Sequence, residues 1–155
     1  MRQVSKYLLA YVLWAVSIAV GVIAALIIRQ AISGMFGIAL LSAAPEQLFT
    51  LKMQSNAADR FGVVILGLVL LILIVTAEHL YRTGVPKGKL VRNFSLITVI
   101  ELAVLLVFHT MLLSQSVRAG LPVGINVAVE GLILALLVLF FWLYRRSKPK
   151  SLWST

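Results

Sequence analysis

The chain has 155 residues, of which 61% are hydrophobic and only 12% charged, a composition outside the usual range of soluble globular domains. The absence of cysteine excludes disulfides, thiolate metal sites and iron–sulfur clusters in this sequence. The net charge of +9 is not accompanied by a basic, aromatic-interleaved groove, so nucleic acid is not expected as a partner.

Four long apolar segments predict an all-α integral membrane protein, a single domain built as an up-down bundle of transmembrane helices. The predicted spans cover residues 7–28, 61–81, 93–113 and 122–144, each close to the roughly 20 residues that a bilayer requires. A cleavable signal peptide is the alternative for the first span. That span is longer than a signal-peptide core, and the small-residue stretch at 42–44 is followed by proline, so we expect it to be retained.

The segment between the first two spans, residues 29–60, is too long for a turn. Pro45 favours the start of a helix, and apolar residues recur after it at three- and four-residue spacing: Leu48, Phe49, Leu51 and Met53. We expect a short helix lying on the outer membrane surface. A re-entrant hairpin formed by residues 34–41 is the alternative.

Lysine and arginine are unevenly distributed between the two ends of the predicted bundle. Of the 14 basic residues, ten fall on one side: Arg2, Lys6, Arg82, Lys87, Lys89, Arg92, Arg145, Arg146, Lys148 and Lys150. Basic segments stay in the cytoplasm, so both termini and the basic tail 145–155 are predicted to be cytoplasmic in the cell (inner or plasma) membrane. An aromatic belt would lie at the same interface, formed by Tyr7, Tyr81, Trp142 and Tyr144. We expect the basic residues to contact anionic lipids there.

Small residues at four-residue spacing predict the faces on which helices approach each other closely. The first span carries Ser17, Gly21 and Ala25, and the fourth carries the pairs Gly124 with Ala128 and Gly131 with Ala135. These faces would pack against each other, against a second copy or against another membrane protein.

Ionisable residues inside the predicted spans are the strongest indication of function, because burying a charge there costs about 2.5–3.5 kcal/mol. Glu101 is the deepest carboxyl group. His109 and Glu130 are expected at similar depth on neighbouring helices, with Asn126 one turn from Glu130, so these four residues form a candidate polar cluster. Glu78 and Arg82 lie one turn apart and predict an ordinary interfacial ion pair.

No motif for catalysis accompanies these residues. Haem between helices needs two histidines at one depth, whereas His79 and His109 are predicted in opposite halves of the bilayer. We therefore expect no enzyme activity, cofactor or metal site. The sequence favours a structural or accessory subunit that packs against other membrane proteins. A small transporter or proton conduit using Glu101, His109 and Glu130 is the alternative.

Overall fold

The protein is all-helical. The computed structural model describes residues 2–147, with side chains from Val4 onward. Its elements are α1 (Arg2–Leu41), a 3₁₀ turn (Pro45–Gln47), α2 (Leu48–Gly84), α3 (Leu90–Arg118) and α4 (Gly124–Arg146). No strand occurs in this range, and all four α-helices are long and apolar enough to cross a membrane. The predicted all-α architecture with four such helices is confirmed. Most of the predicted basic tail, from Lys148 on, lies outside the described residues.

The first two helices are longer than the sequence suggested. α1 has 40 residues and α2 has 37, which corresponds to about 60 and 55 Å of helix. Residues 29–41 continue α1 and residues 48–60 begin α2, so the structure contains neither a separate short helix nor a re-entrant hairpin there. Only residues 42–47 separate the helices. Pro45 prevents one continuous helix through this segment, because proline disrupts a helix interior. Gly34 and Gly37 are tolerated within α1, at a cost of about 1 kcal/mol each.

An ion pair joins α1 and α2 where their extensions begin. Arg29 donates to both carboxylate oxygens of Asp59, with Nε–Oδ1 at 2.8 Å and Nη2–Oδ2 at 3.0 Å. The two side chains are half exposed, so the pair adds little to stability. Its bidentate geometry fixes the position of α1 relative to α2.

The helices form an open arrangement in which α1 and α3 are central. α1 packs against both α2 and α3, while α4 packs against α3 alone. We call the end that holds the start of α1, residues 85–89 and the end of α4 the basic end. Near it, Asn93 Nδ2 donates to the Leu80 carbonyl at 2.7 Å, which ties the start of α3 to the end of α2.

Two apolar clusters hold the helices together. The first lies near the basic end and consists of Ala10, Ala77, Tyr81, Val85 and Ile97. The second joins α1, α3 and α4 and consists of Ala24, Leu102, Leu105 and Ile133. Alanines at these contacts allow the backbones to approach closely, and the resulting van der Waals packing is one of the forces that associate helices in lipid.

Candidate functional site

One buried face of α3 carries polar side chains that lack partners. Ser95, Thr98 and Glu101 follow each other at three-residue spacing, and His109 lies eight residues beyond Glu101. Glu101 is 5% exposed and His109 is 6% exposed. The Ser95 and Thr98 hydroxyls, both Glu101 oxygens and His109 Nδ1 are buried without a hydrogen bond. Because buried polar atoms are nearly always partnered, this face is the strongest candidate for a functional site.

A glycine of α1 lies beside the Glu101 carboxyl group. A Cβ atom built on Gly21 would lie 3.6 Å from Glu101 Oε1. Gly21 and the carboxyl group therefore lie within van der Waals range of each other, at the junction of α1, α2 and α3.

Hydroxyl-bearing side chains lie between the level of Glu101 and the basic end. Ser17, one turn before Gly21, forms a hydrogen bond with the Tyr81 hydroxyl of α2 at 2.7 Å. Ser95 and Thr98 precede Glu101 on α3. Four hydroxyl-bearing side chains thus lie between Glu101 and the basic end.

A cavity of about 160 Å³ adjoins the carboxyl group. Ala25 and Ile28 of α1, Leu66 and Leu70 of α2, and Val104 of α3 contribute to its wall, and Glu101 is the one ionisable residue among the described residues that line it. An isolated carboxylate is strongly disfavoured in such apolar surroundings. The cavity therefore favours either a protonated Glu101 or a carboxylate that has a cationic partner.

The cavity opens sideways between α2 and α3. Near the basic end these helices touch through Tyr81 and Phe94, whose ring centroids are 6.4 Å apart. At the level of Glu101 the cavity separates them. The rim residues Val69 and Ile100 are 56% and 55% exposed, so the opening lies on the outer surface of the helix bundle.

The polar cluster predicted between α3 and α4 is divided in the structure. Glu130 accepts a hydrogen bond from the Thr110 hydroxyl, and Asn126 Nδ2 donates to Ser116 Oγ at 3.5 Å. His109 makes neither contact. Residues one apart differ by about 100° around a helix, so Thr110, and not His109, reaches Glu130. Glu101 and His109 are separated by about 12 Å along α3.

The predicted interfacial pair of Glu78 and Arg82 lies away from this cluster. Glu78 and Arg82 are exposed beside Tyr7 and Tyr11 but form no ion pair, since Arg29–Asp59 is the one such pair among the side chains of residues 4–147. Exposed ion pairs gain little over hydration, which explains why the pairing is not enforced.

The two predicted small-residue faces differ in their packing. In α1, Ser17 and Gly21 are buried and Ala25 is partly buried. In α4 the corresponding residues are all exposed: Gly124, Ala128, Gly131 and Ala135. A Cβ atom added to Gly124 or Gly131 would meet nothing within 4 Å.

Several site residues were not anticipated from the sequence. Ser95 and Thr98 could have been found, because their spacing places them on the face of Glu101. The Ser17–Tyr81 hydrogen bond and the bond from Gln115 Nε2 to the Ala31 carbonyl at 2.9 Å carry no local signal. They depend on which helices are neighbours.

Within residues 2–147, no group of three or more His, Asp or Glu side chains is placed to hold a metal ion. No protein-family model matches the chain, and no curated protein and no solved structure matches it either.

Proposed function

We propose that the protein is a small multi-pass membrane transporter in which Glu101 takes up and releases a proton, and that this proton crosses the membrane even when no other substrate is present. The observation that carries the proposal is the deep, unpartnered carboxyl group beside a cavity. Ionisable residues inside membrane spans are costly and are usually tied to transport or proton movement.

The proposed orientation places both termini and residues 85–89 in the cytoplasm of the cell, with the α1–α2 extension outside. The uneven distribution of basic residues supports it. Anionic lipids would then contact the basic end. Ser17, Tyr81, Ser95 and Thr98 would line the cytoplasmic approach to Glu101, and His109 would lie in the outer half.

The polar approach to Glu101 is one-sided in this conformation. Hydroxyl groups that can donate and accept lie toward the basic end. Toward the other end, Leu102 and Leu105 belong to a buried apolar cluster between Glu101 and His109. We propose that Glu101 can exchange protons with the cytoplasm in this state. Rearrangement of the apolar cluster around Leu102 and Leu105 would then allow exchange with the outer side.

The test is proton flux in liposomes that contain the purified protein and an internal pH dye. Wild type should dissipate an imposed pH gradient faster than empty liposomes, and Glu101→Gln should abolish the difference, since an amide keeps the shape but cannot carry the proton.

Glu130→Gln is the matched control for this flux assay, because Glu130 is engaged by Thr110 away from the cavity. It should retain the wild-type flux. Flux that is equal in wild type and Glu101→Gln, or no wild-type flux, would contradict the proposed role.

An accessory subunit is the second candidate, and the exposed small-residue face of α4 favours it. α4 packs against α3 alone, so Ala128 and its neighbours are free to approach another helix. In lipid, such faces associate through close backbone contact.

If this face binds a partner chain, Ala128→Leu should release that chain during purification in mild detergent. Ala103→Leu, the same change at an exposed position of α3, should retain it. Identical sets of co-purifying chains for both variants would argue against a docking role for α4.

A further inference from the structure

We infer that the cavity beside Glu101 binds a small lipophilic monoamine: one amino group carried on an apolar group about the size of a benzene ring. This inference names the substrate class of the site and rests on the proposed function for the role of Glu101. It is drawn from the volume of the cavity, its wall and the two unpartnered carboxyl oxygens.

The cavity volume sets the size of the apolar group. The space measures about 160 Å³, and a dry apolar cavity of about 150 Å³ in another protein holds one benzene molecule. The wall is formed by aliphatic side chains such as Ile28, Leu66 and Leu70. A single aromatic ring or a branched alkyl group of that size therefore fills the space, whereas a larger multi-ring molecule would extend out of it.

The charge of the site selects the polar group. A primary ammonium has three N–H donors and no acceptor, and an ionised carboxylate only accepts. Both Glu101 oxygens are available, because neither has a hydrogen-bond partner. A carboxylic acid ligand cannot accept the Glu101 proton to form an ion pair of opposite charges, and a hydrocarbon would leave the oxygens unpartnered.

The neighbouring elements add no second charge. α1 faces the cavity with Gly21, Ala24, Ala25 and Ile28 and α2 with leucines and a valine. Tyr81 of α2, whose hydroxyl is hydrogen-bonded to Ser17, does not line the space, and neither does α4. One carboxylate balances one positive charge, so the geometry favours a monoamine over a polyamine or a divalent cation.

The sideways opening determines the form in which the amine arrives. Val69 and Ile100 at the rim would face lipid, so the neutral free base can enter from the hydrocarbon region. On binding, the Glu101 O–H bond breaks and an N–H bond forms on the amine nitrogen. The product is an ammonium–carboxylate pair with no net change in charge, so no bare ion crosses the lipid.

The experiment measures binding of 2-phenylethylamine to the full chain in lipid nanodiscs by calorimetry, with empty nanodiscs subtracted. Wild type should bind it, and Glu101→Gln should bind at least about tenfold more weakly, the scale of a hydrogen bond to a charged group. Propylbenzene has the same shape without the amine and should show no dependence on Glu101. Phenylacetate should not bind.

Two leucine variants, each at an alanine of α1, test whether the amine binds in this cavity. Ala25→Leu fills the cavity and should weaken amine binding. Ala19→Leu makes the same change at an exposed position and should not. If Glu101→Gln fails to fold, Glu101→Asp is the second variant. It keeps the carboxylate and should retain amine binding.

Equal amine affinity in wild type and Glu101→Gln would overturn the inference, as would equal loss in the two leucine variants. Proton flux without amine binding would overturn this ligand class and leave the proposed function standing. Glu101-dependent amine binding without proton flux would support the ligand class and overturn the transport role.

Discussion

Gly21→Leu should destabilise the protein by about 3 kcal/mol, the upper end of the usual cost of overpacking. The added Cβ atom would lie 2.6 Å from Leu73 Cδ2 and 3.3 Å from Leu70 Cδ1. The first of these contacts is too close to persist. The rest of the leucine side chain would have to displace α2 or occupy the cavity beside Glu101, so α1 could no longer pack closely against both neighbours.

The measurement is thermal unfolding of the purified protein in a mild detergent, followed by loss of the monodisperse species. Gly67→Leu is the matched control, because a Cβ atom at Gly67 would meet nothing within 4 Å. Both variants gain the same helix propensity over glycine, so their difference reports packing alone. Equal unfolding temperatures would show that Gly21 does not lie at a close contact of three helices.

Asn56→Cys should be labelled by a membrane-impermeant maleimide on intact cells, and Lys87→Cys should be protected. The effect is all or none, since a position lies on one side of the membrane or the other. The chain has no cysteine, so each variant carries a single reactive thiol. Both positions are exposed, Asn56 in the first turns of α2 and Lys87 in the short connection to α3.

Permeabilised cells provide the control for accessibility, and there both thiols should react equally. Labelling of Lys87→Cys in intact cells would invert the proposed topology. Ser17, Tyr81, Ser95 and Thr98 would then lie on the outer approach to Glu101, and the direction assigned to proton exchange would reverse with them.

The local sequence was sufficient to predict the four helices. Their apolar character is a property of consecutive residues, and a run of about 20 such residues has few stable structures other than a helix. The depth of Glu101 along α3 also follows from counting residues, because the rise per residue of a helix is constant.

The ends of α1 and α2 were less predictable. The predicted spans 7–28 and 61–81 stop beside Arg29 and Arg60, but a charged residue marks where a helix leaves lipid and does not interrupt its backbone hydrogen bonds. Only the Pro45 region contains a true break. Residues 29–41 and 48–60 therefore remain helical, and Arg29 pairs with Asp59 across the hairpin.

The candidate site was decided by the tertiary structure. The sequence identified Glu101, His109 and Glu130 as unusual, but the rotation of each helix about its axis determines which side chains meet. That rotation brings Thr110 to Glu130, leaves both Glu101 oxygens and His109 Nδ1 without a hydrogen bond and places Gly21 beside the carboxyl group. It also buries the small residues of α1 and exposes those of α4. These outcomes depend on contacts between residues distant in sequence, which no local pattern encodes, whereas the existence of the four helices depends on neighbouring residues alone.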